Sequence, residues 1–378
     1  MADQFKTVTT TGFGSRIVNS IKGIGFGLLL FFASFAVLYW NEGRVNLADV
    51  AVNAVEVKAG DTANEGKQVY TTGAVSTNET LGDELFLVPG DYLALNRKVE
   101  MYSWVEKSES KTTGNTGGSE TTETTYTYVK EWADMVPSSS NFNVPAGHEN
   151  PTKKFESTSR TVASAAVNGF AVDLSKMTLP AMDALSLTAT NVEQKNGGKL
   201  EGNFVYVPAA ATNTMQAPQV GDLRVSYTVL KNNTNGTIFG KLEGGKINPF
   251  VDAENDNAQL YRFFAGSRDE ALATLDSEHS FMTWILRVVG FLMMWFGLSG
   301  LLGIFEVLSS VIPFFGKLVG AVSRTITFIV SLILTAATVL ISMILHNVWA
   351  IVAVAVVGVI ATVVILKMKK SGVTTVKA

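Results

Sequence analysis

The sequence predicts an α-helical membrane protein with four transmembrane helices and a large β-rich α+β extracytoplasmic domain inserted between helices 1 and 2. Two observations predict this fold class: four apolar runs without a charged residue, and a middle segment in which apolar and polar residues alternate as in strands. Each run has 18 to 21 residues, enough to cross the ~30 Å hydrocarbon layer at about 1.5 Å per residue. The runs are Gly23–Trp40, Val288–Phe305, Thr325–Leu345 and Val348–Leu366.

The first run ends on two aromatic residues and a compact polar block, VLYWNEGRV. Tyr39 and Trp40 are predicted membrane-interface anchors, because rings with a polar edge prefer the headgroup level of a bilayer. We therefore predict transmembrane helix 1 over residues 17–40, after a cytoplasmic N-terminus over residues 1–16. The alternative is a cleaved signal peptide, since basic residues precede the run and Ser34-Phe35-Ala36 is a small-x-small sequence. The run continues past that sequence, which favours an uncleaved helix.

Charge is distributed unevenly along the chain and sets the predicted topology. Residues 42–278 hold 20 Lys and Arg against 31 Asp and Glu, a balance of −11, whereas the remainder has a balance of +8. Most basic residues outside residues 42–278 lie before the first apolar run, between the second and third runs, and after the fourth run. The positive-inside rule then places both termini in the cytoplasm and the domain over residues 41–266 on the extracytoplasmic or lumenal side.

The rest of the predicted organisation follows from the later runs. It comprises a helix over 267–308 that runs into transmembrane helix 2, an interfacial or re-entrant cytoplasmic segment over 309–323, transmembrane helices 3 and 4 over 324–345 and 348–366, and a basic cytoplasmic tail over 367–378. The first of these helices is predicted to begin with a capping box, because Glu270 follows Ser267 by three residues.

The middle segment predicts three β-hairpins. The stretches VEMYSWVEK and TTETTYTYVKEW alternate on either side of the turn-like TGNTGGSE, which predicts a hairpin with aromatic pairs across it. The aromatic residues expected to face one another are Tyr102 and Trp104 on one strand and Tyr126, Tyr128 and Trp132 on the other. Two further hairpins are predicted to turn at residues 196–198 and 232–236. The order of the strands is not predicted.

Composition excludes or disfavours several chemistries. The chain has no cysteine, so a disulfide, a thiol nucleophile and a thiolate metal site are impossible. Its three histidines are far apart in sequence, and His148 in GHENP is expected to stabilise a loop, not to bind a metal. The stretch DAENDNAQL at Asp252 lacks the glycine and the last glutamate of a calcium loop. No nucleotide-binding or hydrolase motif occurs, and we predict no enzyme activity, no cofactor and no metal.

Small and charged residues in the apolar runs are candidates for helix packing and ion pairing. Glycines at regular spacing are expected to let helix backbones approach closely, although glycine is also tolerated in lipid without such a role. These glycines are Gly23 and Gly27 in the first run and Gly297, Gly300 and Gly303 in the second. An unpaired carboxylate near a membrane is costly, so Glu306 is predicted to form an intramembrane or interfacial ion pair with Lys317 or Arg324. A role of Glu306 in ion passage is the alternative.

Several motifs together resemble the transmembrane protein 43 family. They occur in family order between residues 39 and 298: YWNEGR, VEMYSWVE, YTYVKEW, GHENP, QVGDLRVSY and MTWILRVVGFLMMWFGL. The chain departs from the family pattern around residues 112–121, 208–218 and 232–236, and its last two spans match in hydropathy more than in residues. The resemblance implies four spans, an uncleaved first helix and a non-enzymatic membrane protein, since animal members are placed in the endoplasmic reticulum and inner nuclear membrane. It offers no catalytic residues to transfer.

Together these features predict a non-enzymatic integral membrane scaffold or organising protein that acts through its extracytoplasmic domain and its membrane helices. The alternative is an ion channel or transporter formed by an oligomer, which the scarcity of ionisable groups in the spans disfavours. Expected partners are membrane lipids, other membrane proteins and further copies of the chain, without nucleic acid. The expected location is the inner or plasma membrane with a periplasmic domain in a bacterium, or the endoplasmic reticulum or inner nuclear membrane with a lumenal domain in a eukaryote.

Overall fold

The fold is described by a computed structural model that covers residues 3–347 together with residues 352 and 356. The predicted fourth transmembrane helix and the basic tail therefore lie outside the described residues, apart from those two positions. The described chain divides into two compact units. The first holds residues 3–8, 45–111 and 123–277, and the second holds residues 9–44, 112–122 and 278–347.

Residues 3–347 form four α-helices and seventeen β-strands. The helices are α1 (Phe13–Glu42), α2 (Leu47–Ala51), α3 (Arg268–Ser309) and α4 (Pro313–Leu345). The strands of the N-terminal half are β1 (Asp3–Thr11), β2 (Val55–Glu56), β3 (Gln68–Ser76), β4 (Tyr92–Gly114), β5 (Glu120–Ala133), β6 (Thr158–Thr161), β7 (Ala165–Val167), β8 (Phe170–Val172) and β9 (Asp183–Ala184). The later strands are β10 (Lys199–Glu201), β11 (Phe204–Val207), β12 (Leu223–Lys231), β13 (Thr234–Glu243), β14 (Lys246–Asn248), β15 (Phe250–Asp252), β16 (Ala258–Leu260) and β17 (Arg262–Ala265).

Two sheets contain most of the strands. One has eight strands, in the order β1-β5-β4-β12-β11-β10, with β6 paired to β4 and β9 paired to β12. The other has seven strands, in the order β17-β13-β14-β8-β7-β3-β2, with an additional pairing of β13 to β3. Strands β15 and β16 pair with each other. The prediction of a large β-rich domain is confirmed.

Strand β12 shows how alternation in the sequence buries one face of the larger sheet. Leu223, Val225, Tyr227 and Val229 are buried at alternate positions, and Leu230 at the end of the strand is also buried, in the other core. Successive side chains of a strand point to opposite faces, so these four lie on one face and the residues between them lie on the other. Opposite them on β4, Val99 pairs with Val225 and Met101 pairs with Leu223, and all of them belong to one hydrophobic core.

A buried carboxylate organises the loop before β4. Asp83 Oδ1 accepts hydrogen bonds from the backbone amides of residues 85–87 at 2.8 to 3.0 Å, and Oδ2 accepts from Arg97 Nη1 at 3.0 Å and from the Tyr227 hydroxyl. Burial raises the pKa of the Asp83 carboxyl, but the hydrogen bonds from Tyr227, the loop amides and Arg97 outweigh burial and hold that pKa below its usual value. The loop is therefore fixed by an ionised side chain.

Two of the three predicted hairpins differ in the structure. The turn between β10 and β11 lies at Gly202-Asn203 and not at residues 196–198, with Gly202 at a φ of 60°. Strands β12 and β13 are not a hairpin, because they belong to different sheets. Asn233, at a φ of 58°, reverses the chain between them. Turn residues fix a local reversal, whereas burial in separate cores decides which partner each strand finds.

The N-terminal residues form an edge strand. Strand β1 lies beside β5 in the eight-stranded sheet. Within the first unit, Lys6 Nζ lies 2.5 Å from Glu123 Oε1. The polar sequence of residues 3–8 gives no sign of this pairing. The placement of residues 1–16 and residues 41–266 on opposite sides of a membrane stays a prediction, and this contact is the observation that it has to accommodate.

In the second unit, helices α1 and α3 run antiparallel. Near one end of α1, Arg16 Nη1 lies 2.7 Å from Ser310 Oγ, and near its other end, Asn41 Nδ2 lies 3.1 Å from the carbonyl oxygen of Thr283. Helix α4 runs antiparallel to α3, as shown by contacts of Met294 with Thr335 at one level and of Glu306 with Gly320 at another. All three helices are long and apolar enough to cross a membrane.

Helix α4 includes residues that the sequence assigns to two predicted elements. These are the interfacial segment over residues 309–323 and transmembrane helix 3 over residues 324–345. The structure has one continuous helix from Pro313. Proline is accepted at the first helical position, because its missing N–H would have no partner there. The predicted boundary at residue 324 is therefore not a helix boundary, and the interfacial placement of residues 309–323 stays a prediction.

Candidate functional site

The polar block after the first apolar run meets helix α3 in what we call the interface cluster. This cluster consists of Asn41, Glu42, Arg44, His279, Thr283 and Arg287. Glu42 follows the apolar run of α1 and Arg287 precedes that of α3, so antiparallel packing brings these two charges to the same level. The rings of Tyr39, Trp40 and Trp284 are exposed nearby in sequence, as expected for a membrane interface.

Glu42 and Arg287 form the strongest pair of the interface cluster. Arg287 Nε and Nη2 donate to the two carboxylate oxygens of Glu42 at 2.8 and 2.7 Å. The Glu42 side chain is 4% exposed and that of Arg287 is 22% exposed, so the pair is largely withdrawn from water. A bidentate pair fixes the geometry of both groups, and removing either partner leaves an uncompensated charge. The Arg287 guanidinium also lies 5.1 Å from the ring centroid of Trp284.

Asn41 and Arg44 are incompletely hydrogen-bonded. Asn41 is 1% exposed, and its Nδ2 donates to the Thr283 carbonyl oxygen at 3.1 Å and to Glu42 Oε1 at 3.3 Å. Its buried Oδ1 accepts no hydrogen bond from the described residues. Arg44 Nη2 lies 3.3 Å from the carbonyl oxygen of His279, while its buried Nε has no partner within the described part of the chain. The cluster therefore keeps one free acceptor and one free donor.

Two of the cavities formed by described residues lie within the second unit. The first has a volume of about 220 Å³ and is lined by Asn41, Glu42, His279, Ser280, Thr283, Trp284 and Arg287. The second has a volume of about 390 Å³ and is lined by Thr11, Arg16, Asn19, Ser20, Glu120, Gly303, Glu306 and Val307. In the second cavity Arg16 is well paired, because it donates to the Gly118 carbonyl oxygen at 2.6 Å and contacts Glu120 at 2.7 Å. Only the first cavity combines its charges with the unpaired acceptor of Asn41.

The aromatic anchor Tyr39 contacts the end of helix α4. Its ring centroid lies 4.4 Å from that of His346, whose Nδ1 lies 2.8 Å from the carbonyl oxygen of Ser342. His346 also occupies the space that a side chain at Gly43 would need. Glycine at position 43 therefore allows the ring of His346 to sit beside the end of α1.

Three of the five candidate packing glycines lie where α1 and α3 approach most closely. A Cβ on Gly27 would lie 2.7 Å from the carbonyl oxygen of Gly297 and 3.3 Å from Gly300 Cα. A Cβ on Gly300 would lie 3.1 Å from the carbonyl oxygen of Gly23. Gly303 is less constrained, since its Cβ would meet only Ser20 Oγ at 3.8 Å, and nothing lies within 4 Å of a Cβ on Gly23. The contact therefore requires glycine at positions 27 and 297, and the space at Gly300 is tight.

The predicted partners of Glu306 are only partly brought together. Arg324 Nη2 lies 3.9 Å from Glu306 Oε1, a loose contact between half-exposed side chains. Lys317 forms no such pair within the described residues. The carboxyl group of Glu306 lies directly against Gly320, so a side chain at that position would displace it. The structure thus favours Arg324 over Lys317 as the counter-charge.

The start of α3 has the geometry of a capping box. The Ser267 backbone amide donates to Glu270 Oε2 at 2.7 Å, and the Glu270 amide donates to Ser267 Oγ at 3.4 Å. The hydrogen bond from the Ser267 amide, with a further one from the Ser267 hydroxyl, holds the pKa of the Glu270 carboxyl below its usual value. Both otherwise unpaired backbone donors are satisfied, which fixes where the helix begins.

His148 lies in an aromatic cluster of the first unit. It is buried, stacks on Tyr128 with ring centroids 3.8 Å apart, and meets Trp104 edge-on at 4.7 Å. Tyr102 instead faces Trp132, at 5.3 Å. The described residues contain no group of three His, Asp or Glu side chains placed to hold a metal ion. The geometry gives His148 a packing role in its loop.

The charged residues of the interface cluster, Glu42, Arg44 and Arg287, are not among the predicted site residues, and neither is Arg16 at the other end of α1. Arg287 directly precedes the second apolar run, and Arg16 is one of the basic residues before the first. The pairing of Arg287 with Glu42 could be predicted, because Glu42 follows the first apolar run, Arg287 precedes the second, and consecutive spans run in opposite directions. No comparable signal linked Arg16 to Glu120, because the contact depends on where the β4–β5 turn lies.

Three long apolar helices and a large β-rich soluble part define an integral membrane protein. The chain matches the family model described as "Transmembrane protein 43" over residues 101–348. It therefore belongs to the transmembrane protein 43 family, and the resemblance inferred from the motifs is confirmed.

Curated relatives match most of the chain. Human transmembrane protein 43 is 29% identical over 354 residues, covering 88% of this chain and 87% of the relative. The mouse protein of that name is 28% identical over 360 residues, covering 87% and 85%. The transmembrane protein 43 homolog of Drosophila melanogaster is 28% identical over 288 residues, covering 72% and 75%. No solved structure matches the chain.

Proposed function

We propose that the chain is a non-enzymatic membrane scaffold that organises other membrane proteins, lipids and further copies of itself. The observation that carries this proposal is the closed packing of α1, α3 and α4. Glycine contacts hold α1 against α3, and ion pairs or hydrogen bonds fix both ends of that pair. A bundle fixed in this way suits a platform for other molecules.

The outer faces of the bundle are apolar. Large exposed side chains occur along α1 and α4, among them Phe26, Leu29, Phe32, Ile333 and Leu340. In a bilayer such side chains contact lipid tails or other membrane helices. Binding of lipid, of other membrane proteins and of a second copy all follow from this surface. The acidic charge balance of residues 42–278 disfavours nucleic acid as a partner.

The described helices offer few groups for an ion pathway. Ser299 and Thr327 bond to each other across α3 and α4 at 2.9 Å, while Thr338 donates to its own helix backbone. Conduction requires a continuous line of polar or charged groups. The buried hydroxyl of Ser331 in α4 has no hydrogen-bond partner among the described residues. One unpaired hydroxyl among paired ones does not form a continuous line, which ranks the scaffold above the channel.

The number of copies in a native membrane tests the proposal. The full chain, fused to one fluorophore, would be extracted with its surrounding lipid into polymer-bounded particles, and copies per particle counted by single-molecule photobleaching. The scaffold proposal predicts particles with more than one copy or with a second membrane protein in fixed proportion. Particles that hold single copies and no other protein would contradict it.

A further inference from the structure

The cavity at the interface cluster has a polar group that the protein itself does not satisfy. Asn41 lines this cavity of about 220 Å³, is 1% exposed, and has an Oδ1 that accepts no hydrogen bond from the described residues. A buried carbonyl oxygen without a donor is unfavourable. The volume exceeds the ~30 Å³ that one water occupies in the liquid, so there is room for a larger polar group.

Charge identifies the kind of group that fits. Arg287 and Glu42 line the cavity with opposite charges, and Arg44, which contacts the lining residues His279 and Thr283, adds a second positive charge. The cluster therefore has a net positive charge and favours an anion. Arg44 also has a buried Nε without a partner among the described residues. The acceptor of Asn41 and the carboxylate of Glu42 favour a positively charged donor in the same cavity. The complementary ligand therefore has an anionic part and a cationic hydrogen-bond donor a few atoms apart.

The position of the cluster in the chain points to the source of that ligand. Tyr39, Trp40 and Trp284 have the character of headgroup-level anchors and flank the cluster in sequence. At this level of a bilayer the abundant polar groups are phospholipid headgroups. A headgroup with a phosphate and a primary ammonium group has both required parts.

We propose that the cavity binds the headgroup of phosphatidylethanolamine. Its ammonium group donates to Asn41 Oδ1 beside the carboxylate of Glu42. Its phosphate lies toward Arg287, on the side of the cavity where Arg44 contacts the lining residues His279 and Thr283. This proposal rests on the membrane placement in the proposed function and adds a specific lipid to it. The number of copies per particle tests the proposed function and does not measure lipid binding, so the two proposals can fail separately.

The chemistry distinguishes this lipid from its closest alternatives. Phosphatidylcholine has the same phosphate, but its trimethylated ammonium group has no N–H to donate to Asn41. Phosphatidylglycerol keeps the phosphate and offers neutral hydroxyl donors, which gain less from the neighbouring carboxylate. Losing a hydrogen bond that involves a charged group lowers affinity about tenfold or more.

Native mass spectrometry of the full chain in detergent tests the assignment. The three lipids, with identical acyl chains, would be titrated into delipidated protein, and free phosphoethanolamine would be added as a competitor. We expect phosphatidylethanolamine to bind about tenfold more tightly than phosphatidylcholine, and more tightly than phosphatidylglycerol. The free headgroup should not displace it at equal concentration, because the acyl chains contribute to binding.

Variants locate the site. Asn41→Leu should lower the affinity for phosphatidylethanolamine to that for phosphatidylcholine, whereas the matched Asn19→Leu change at the other end of α1 should leave it unaltered. Arg44→Gln should weaken binding of phosphatidylethanolamine and phosphatidylglycerol alike. The lipid comparison uses the unaltered chain, so it decides the matter even where a variant misfolds.

Three results would overturn the proposal. Equal affinity for phosphatidylethanolamine and phosphatidylcholine would remove the role of the N–H donor. Tighter binding of phosphatidylglycerol would remove the role of the ammonium group. Displacement by free phosphoethanolamine at equal concentration would replace the lipid with a soluble ligand.

Discussion

Replacing Gly297 with alanine tests the close approach of α1 and α3. A Cβ at this position would lie 2.7 Å from the backbone nitrogen of Phe31 and 2.8 Å from the carbonyl oxygen of Gly27. Both are backbone atoms of a continuous helix, so the contact is relieved only when the helices separate, and overpacking of this kind costs about 1–3 kcal/mol. Alanine is the better helix former by ~1 kcal/mol, which leaves a net loss of up to about 2 kcal/mol.

The matched control is Gly25→Ala in α1, where an added Cβ would meet nothing within 4 Å. This variant gains helix propensity without a clash, so its stability should stay level or rise. Unfolding of the purified full chain in detergent, followed by circular dichroism against denaturant, would compare the two. Destabilisation by Gly297→Ala alone supports the packing. Equal effects of the two substitutions would refute it.

Three further predictions address the buried pair, the N-terminal strand and the pH dependence. Glu42→Gln should lower the free energy of unfolding in detergent by about 3 kcal/mol, because it leaves Arg287 without its counter-charge. Replacing both residues with leucine should recover most of that loss, and no recovery would contradict the pairing. Cysteines introduced singly at Val8 and Ala63 of this cysteine-free chain lie before and after α1, so a single crossing by α1 predicts that an impermeant maleimide labels them from opposite sides of the membrane; labelling of both from the same side would contradict that crossing and support the place of β1 beside β5. Because the pKa of Asp83 is lowered in the folded state, its carboxylate contributes stability above about pH 4, and this stability is lost as the pH falls toward the folded-state pKa. The contribution should disappear in Asp83→Asn, and a pH profile of unfolding that this substitution leaves unchanged would refute the prediction.

Much of the helical part could be predicted from the sequence, because a membrane helix is specified by local composition. The absence of charge over each run and the capping box at Ser267 are both readable over a few residues. Close packing at Gly27 and Gly297 was suggested by spacing alone. The partner of each glycine depends on the direction and register of a second helix, which the spacing does not encode.

The soluble part shows where local signals end. Alternation predicts that Leu223 to Val229 form a strand, yet nothing local reveals that the next strand joins the other sheet. The polar strand β1 has no apolar face, so its place beside β5 follows from long-range pairing alone. The positive-inside rule uses only the positions of basic residues such as Lys6, so it takes no account of the contact between Lys6 and Glu123.

Ion flux through the reconstituted full chain tests most directly whether the protein is a closed scaffold and not a channel. Purified protein would be incorporated into liposomes at defined copy number, and release of trapped ions would be measured for the unaltered chain and for Glu306→Gln. We predict flux equal to that of empty liposomes for both proteins. Flux above this background that falls in Glu306→Gln would contradict the closed bundle and establish ion passage.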